Sequence, residues 1–238
     1  MGAQPRFVIV SHGRTGSELL VSLLNSHPRI VCESEVLSLR RFLPAEMLLR
    51  HSAKARLSGN RAYGFKLLGH HAKLQNPDDS VAYLRSFHDR GFRIILLERR
   101  DWLQQAISSM RAIESQYHYR RRDPVRFTPT RLDPTAILAA LWLIDQGATF
   151  IRSALADLPA LELVYEDDLA TESAQARTVD RICEYLGLPT APVQTELVKL
   201  GPHSAEEQVI NFNEVAALLA ATPYANFLAA AQPLADHR

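Results

Sequence analysis

Only two cysteines, Cys32 and Cys183, stand in the 238 residues, far apart and outside any CxxC or Cys/His ligand spacing. Neither a disulfide framework nor a zinc site is indicated, and such sparse usage fits a reducing, cytoplasmic compartment. Apolar runs are broken by charge before they reach the ~18 residues a membrane span needs, so no span is expected. Residues 1–6 pass straight into a strand-like segment and leave no room for the apolar core of a signal peptide. An excess of either charge is missing too: 27 Lys and Arg face 26 Asp and Glu, a formal net charge of +1. That balance gives no general affinity for nucleic acid or an anionic membrane, so any polyanion has to be met by a local cluster.

What is present is a strand-turn-helix junction near the start. Phe7-Val8-Ile9-Val10 reads as a buried parallel strand, and Glu18-Leu19-Leu20-Val21-Ser22-Leu23-Leu24 reads as a helix. Between them Ser11-His12-Gly13-Arg14-Thr15-Gly16-Ser17 has the chemistry of a phosphate cradle. Gly13 and Gly16 allow close backbone approach, the helix's first N–H groups point at the ligand, and Arg14 adds a positive fork. It is not a Walker loop. Two residues rather than four separate the glycines, and Ser17 stands where the Walker lysine would follow. A kinase acting on ATP or GTP therefore lacks its usual phosphate-binding cation.

Further along, residues 29–32 read as a short second strand that delivers Glu33 and Glu35 to a strand end, the edge where open α/β sheets bind ligands. Residues 36–50 carry helical spacing, and 52–61 read as a polar, basic connector. A third strand at 62–68 contains Lys66 and leads into Gly69-His70-His71. Adjacent histidines on an extended chain face opposite ways, so they make a poor metal pair. Phe92-Arg93-Ile94-Ile95-Leu96-Leu97 is a strong strand that empties into Glu98-Arg99-Arg100-Asp101, a second place for an anion. The stretch 117–131, with arginines, prolines and aromatics but no periodicity, is expected to be a loop and a lid over an acceptor. A long helix follows from Pro134, with Ile137, Leu141, Ile144, Ala148, Ile151 and Leu155 on one face. A fifth strand at 161–165, a helix at 171–186 and an alanine-rich helix at 214–221 complete the chain.

Taken together these motifs resemble those of sulfotransferases that use 3′-phosphoadenosine 5′-phosphosulfate (PAPS), especially the bacterial branch acting on carbohydrates and glycolipids. The likeness covers about residues 7–190. It implies a P-loop-like, three-layer α/β fold with a mainly parallel five-stranded sheet, in a single domain with a helical extension over 191–238. In that family an Arg-x-Gly-Ser loop binds the 5′-phosphosulfate, which implies this role for Arg14, Thr15, Gly16, Ser17, Glu18 and Leu19. An arginine at a strand end with a serine eight residues on holds the 3′-phosphate, and Arg100 and Ser108 have that spacing. A glutamate after the second strand, here Glu33, is the implied base, with Glu35 as its rival and His12 and Lys66 as weaker candidates. Tyr165-Glu166-Asp167 resembles a segment at the end of the family's later strand. The lysine and the C-terminal Arg-Lys-Gly segment of the cytosolic branch are not found.

The resemblance implies in-line sulfuryl transfer to an acceptor hydroxyl with no metal, arginine doing the neutralising. A small-molecule, glycan or glycolipid acceptor is expected, without nucleic acid, and a homodimer is an admissible assembly. The competing readings are a P-loop-like small-molecule kinase and a nucleotide binder without transfer activity.

Overall fold

The computed structural model describes residues 4–41, 43–59, 61–115, 127–197 and 204–230. In chain order the elements are β1 (Arg6–Ser11), α1 (Ser17–Ser26), β2 (Ile30–Glu33), α2 (Pro44–Leu57), β3 (Ala62–Leu68), α3 (Gly69–Gln75), α4 (Ser80–Asp89) and β4 (Phe92–Glu98). They continue with α5 (Trp102–Ser115), α6 (Pro134–Leu155), β5 (Ala160–Val164), α7 (Tyr165–Asp168), α8 (Glu172–Leu186), α9 (Ala205–Gln208), α10 (Phe212–Ala220) and α11 (Asn226–Ala230). The chain clusters into two compact units, one of Met1–Glu98 and Gly147–Thr195, the other of Arg99–Gln146 and Glu196–Arg238.

The first unit holds all five strands, in the order β2-β3-β1-β4-β5, every pair parallel. From β1 the chain goes to one side for β2 and β3, then to the other for β4 and β5. The carboxyl end of β1 is therefore the switch point at which such sheets bind ligands. Alternation of side chains divides the interior into two layers. Phe7, Ile9, Cys32, Ile95, Leu97 and Leu163 pack on one face against Leu20, Leu23 and Leu24 of α1 and Val179, Ile182 and Leu186 of α8. On the other face Val8, Val10, Tyr63, Phe65, Leu67, Ile94 and Leu96 meet residues of α2, α3 and α4 and Ile151, Ala154 and Leu155 of α6. Helices thus cover both faces of the sheet, as the sequence pattern implies.

The second unit has its own core, in which Leu103 and Ile107 of α5 and Ile137, Leu141 and Ile144 of α6 meet Val209, Val215 and Leu219. The buried Asn211 fixes its entry segment by exchanging hydrogen bonds with the backbone of Leu132, accepting at 3.0 Å and donating at 2.9 Å. Thr130 forms an isolated parallel bridge to Val209. Of the expected lid at 117–131, residues 117–126 lie outside the described residues.

Three expectations shift. The helix expected at 36–50 begins instead at Pro44 and runs to Leu57. A proline is favoured in a helix's first turn and disfavoured in its interior, so the helix starts there, and the supposed connector extends it. His70 and His71 lie in α3 rather than on an extended chain. And α6 is long and apolar enough, by length and composition, to cross a membrane, although its sequence carries Asp145 and Arg152. Both charges are engaged: Tyr224 donates its hydroxyl to Asp145 at 3.2 Å, and Arg152 forms a two-pronged pair with Glu98 at 2.7 Å on each arm.

Candidate functional site

The junction expected to bind an anion forms at the carboxyl end of β1. Ser11 is hydrogen-bonded within the sheet between β3 and β4, in register with Leu68 and Leu97, and its hydroxyl is buried without a protein partner. The backbone then turns through Arg14 at φ 65° and Gly16 at φ 87°, both left-handed. For arginine that conformation is costly, and such strain gathers at ligand sites. Thr15 is buried and ties the turn together by donating its hydroxyl to the carbonyl of His12 at 3.1 Å.

Gly16 is required twice over. Besides its φ, a Cβ at this position would stand 2.5 Å from Cδ2 and 2.9 Å from Cε2 of Tyr165. Tyr165 thus closes one side of the loop, whereas a Cβ at Gly13 would meet nothing within 4 Å. The loop's other neighbour is α6, where Gly147 makes room for the ring of His12, which a Cβ would approach to 2.4 Å. Gly16 also caps α1 with no side-chain acceptor, and the first intrahelical bond runs from Leu20 N–H to Gly16 O at 3.1 Å. The preceding N–H groups, those of Ser17, Glu18 and Leu19, have no carbonyl in the helix to receive them. With the helix dipole behind them they suit an anion.

Glu18 also contributes through its side chain. Its Oε1 accepts from Lys66 Nζ and, at 2.6 Å, from the hydroxyl of Ser34. Lys66, on β3 in register with Ile9, is 2% exposed and makes a second ion pair with Oε1 of Glu35 at 2.8 Å. Oε2 of Glu35 lies 3.9 Å from Nε2 of His71, too far for a hydrogen bond. Burial alone would raise the Glu35 carboxyl, but the hydrogen bond and charge of Lys66, aided by His71 and His70, hold it below its ordinary 4.5. Burial, with His70 adding to it, pushes His71 down to about 4. Nδ1 of His71 accepts from Leu68 N–H at 3.3 Å, so the neutral ring keeps its proton on Nε2, toward Glu35.

Glu33 is placed differently. Its Oε2 accepts from the Tyr63 hydroxyl at 2.6 Å and from Nδ1 of His51, on α2, at 2.7 Å. Tyr63 and Lys66 are three residues apart on β3 and so project from opposite faces of the sheet. The chain bends at Ser34, and the two glutamates part: Glu33 meets Tyr63 and His51 on the α2 face, whereas Glu35 meets Lys66. It is Glu35, not Glu33, that the structure links to the first turn of α1.

Arg100 and Ser108 belong to the second unit, Arg100 exposed ahead of α5 and Ser108 half-buried within it. Asp101 caps that helix, accepting from Gln104 N–H at 2.9 Å. In the Tyr165–Asp168 segment, Asp168 is structural: it accepts from Val164 N–H at 2.7 Å and pairs with Arg181 at 2.5 Å. Sequence reasoning missed the Lys66 network and the His51 contact. A lysine inside an otherwise apolar strand is the signal that could have found the first.

No protein-family model matches the chain, and no curated protein matches it significantly. Among solved structures it is similar to a sulfotransferase from Alicyclobacillus acidocaldarius, with 19% identity over 92% of this chain and 96% of that one, at a TM-score of 0.47. It is similar to a shikimate kinase from Bacteroides thetaiotaomicron, with 12% identity over 78% of this chain and 100% of that one, at a TM-score of 0.45. Mouse sulfotransferase SULT7A1 complexed with PAP shares 15% identity over 80% of this chain, which spans 60% of the mouse chain, at a TM-score of 0.51. At these identities the likeness speaks for the fold: a parallel five-stranded sheet flanked by helices, of the P-loop-like kind seen in sulfotransferases.

Proposed function

We propose that the protein is a sulfotransferase that moves a sulfuryl group from PAPS to a hydroxyl of a small-molecule, glycan or glycolipid acceptor. The observation that carries this reading is the β1–α1 junction, an arginine-bearing loop without the Walker lysine that opens a helix with no side-chain cap. Its residues fit such a donor: the space over Gly13 is open, Tyr165 walls the loop at Gly16, and a buried hydroxyl, Ser11, stands without a protein partner.

The bound donor supplies a sulfuryl group attached to an anionic 5′-phosphate leaving group. Arg14 and the N–H groups from Thr15 to Leu19 neutralise the charge that collects on that phosphate as the bridging S–O bond breaks. Preorganised donors of this kind are worth most in the transition state. Arg100 and Ser108 are assigned to the 3′-phosphate. As the acceptor oxygen bonds to sulfur, its proton passes to a carboxylate. Between the two candidates Glu35 is favoured, since its Oε2 has no hydrogen bond within the Lys66 cluster while Oε2 of Glu33 holds two. Arginine takes the neutralising part that magnesium plays in a kinase.

Incubation with PAPS labelled in the sulfuryl group and a panel of glycans, glycolipids and phenols tests the reading. Transfer of label to an acceptor hydroxyl, lost in Arg14→Ala, is expected. Binding of the donor with no turnover on any acceptor would leave a nucleotide binder, and magnesium-dependent transfer from ATP would install a kinase.

A further inference from the structure

The chain as a whole is balanced, but one stretch of it is not. Residues 39–61 contain six basic residues, Arg40, Arg41, Arg50, Lys54, Arg56 and Arg61, against a single acidic one, Glu46. With a total of +1 for the protein, the remainder is net negative. All six basic side chains are exposed. The same stretch holds four of the large exposed hydrophobic residues: Leu39 at 65%, Leu43 at 57%, Leu49 at 55% and Leu57 at 89%.

These residues have a pattern. The inner face of α2 is set by Leu48, Ser52 and Ala55, which are buried against the sheet. Leu49, Ala53 and Leu57 follow at four-residue steps on the outer side, so they form a stripe along the helix. Arg50 and Lys54 flank that stripe on one side and Arg56 on the other. Leu39 and Leu43 precede the helix, and the backbone that presents Leu39 is held in place. Gln75 of α3 donates to the carbonyls of Leu37 at 2.9 Å and Leu39 at 2.7 Å, and accepts from Arg41 N–H at 3.0 Å. The helix itself is tied to β2 through His51 and Glu33.

We infer that α2 and the segment ahead of it form a docking face for the surface of an anionic phospholipid bilayer. The leucines enter the boundary between headgroups and acyl chains, and the arginines and lysine lie among the phosphates, the arrangement of a helix that rests in the interface plane without spanning it. Charge complementarity decides the occupant. A second copy of the chain would bring two faces of the same positive sign together. A nucleic acid would satisfy the basic side chains but leave four leucines in water. A membrane surface accepts both. No residue of the docking face itself belongs to the proposed transfer site, so the inference stands whether or not that site transfers a sulfuryl group.

Flotation of the full-length protein with vesicles tests it, using phosphatidylcholine alone and phosphatidylcholine with phosphatidylglycerol. Binding is expected to the anionic vesicles only and to weaken as salt is raised. Arg50→Gln with Lys54→Gln should lower the partition coefficient about thirtyfold, and Leu49→Ser with Leu57→Ser should also release the protein. All four side chains are exposed, so the melting temperatures of these variants should match the parent's. Equal binding to neutral vesicles, binding to anionic vesicles that survives the charge substitutions, or no binding to either overturns the inference. So does a dimer in solution that Leu49→Ser with Leu57→Ser dissociates, or oligonucleotide binding in a protein that ignores vesicles.

Discussion

The ring of Tyr165 occupies the space a side chain at Gly16 would need, 2.5 Å from the position of a Cβ there. Two elements distant in sequence therefore shape one loop, and the loop's conformation depends on both. Gly16→Ala should cost about 1–3 kcal/mol from its left-handed backbone alone, more if the ring does not move. Tyr165→Leu should leave the loop intact yet relieve part of the alanine's cost when the two are combined. A double-mutant cycle by urea denaturation measures the coupling. Strict additivity would show that the ring and the loop do not constrain each other.

Acid should destabilise the fold in two steps with separate owners. The unfolded His71 takes up its proton near 6.5 and the folded one only near 4. Between those values the unfolded chain binds more protons, so stability falls as pH drops from 6.5 toward 4. The folded Glu35 carboxyl lies below its ordinary 4.5, so the stability it carries is complete above 4.5 and is lost as pH falls through the folded value. Urea midpoints taken across this range should flatten in the upper part for His71→Gln and in the lower part for Glu35→Gln. Parallel curves for all three proteins would refute the assignment.

Why one part of this site was legible and another was not follows from what each depends on. The strands of the parallel sheet are buried on both faces, so β1, β3 and β4 stand out as apolar runs, and the glycines at β1's end mark the loop within a few residues of chain. The Lys66 network joins residues 48 apart in sequence, and no local pattern announces it. Likewise the fate of Glu33 and Glu35 is decided by a bend at Ser34, which alternation along an extended strand does not anticipate. The start of α2 was readable in Pro44, but the helical spacing ahead of it drew the boundary too early.

Adenosine 3′,5′-bisphosphate should stabilise the protein more than AMP, and ATP with magnesium should do so least. At about 100 times the dissociation constant a ligand adds roughly 2.7 kcal/mol, several degrees of melting temperature for a chain of this size. Arg100→Ala should remove most of the difference between the bisphosphate and AMP, and Ser108→Ala part of it. Charge-assisted hydrogen bonds contribute about 1.5–3 kcal/mol, so the arginine variant should lose tenfold or more in affinity. Arg14→Ala should weaken both nucleotides and slow transfer as well. Equal shifts for AMP and the bisphosphate in the parent protein would remove the second phosphate from the reading.

The proton acceptor is decided by two substitutions that keep shape and hydrogen bonding while removing basicity. Glu35 reaches the first turn of α1 through Lys66, which pairs with it at 2.8 Å and also binds Glu18. Glu33 is held on the other face of the sheet by Tyr63 and His51 at 2.6 and 2.7 Å. Its carboxylate serves to fasten β2 to α2. Glu35→Gln should therefore keep affinity for the bisphosphate and lower turnover by about 10²- to 10⁴-fold. Glu33→Gln should act mainly on stability, because a neutral amide oxygen accepts from Tyr63 and His51 more weakly than the charged carboxylate does. Lys66→Met separates positioning from basicity: Glu35 loses its cation, its carboxyl rises, and the acid limb of the pH–rate profile should move to higher pH. Turnover that falls in Glu33→Gln but not in Glu35→Gln, measured at saturating donor with folded protein, would return the role to Glu33.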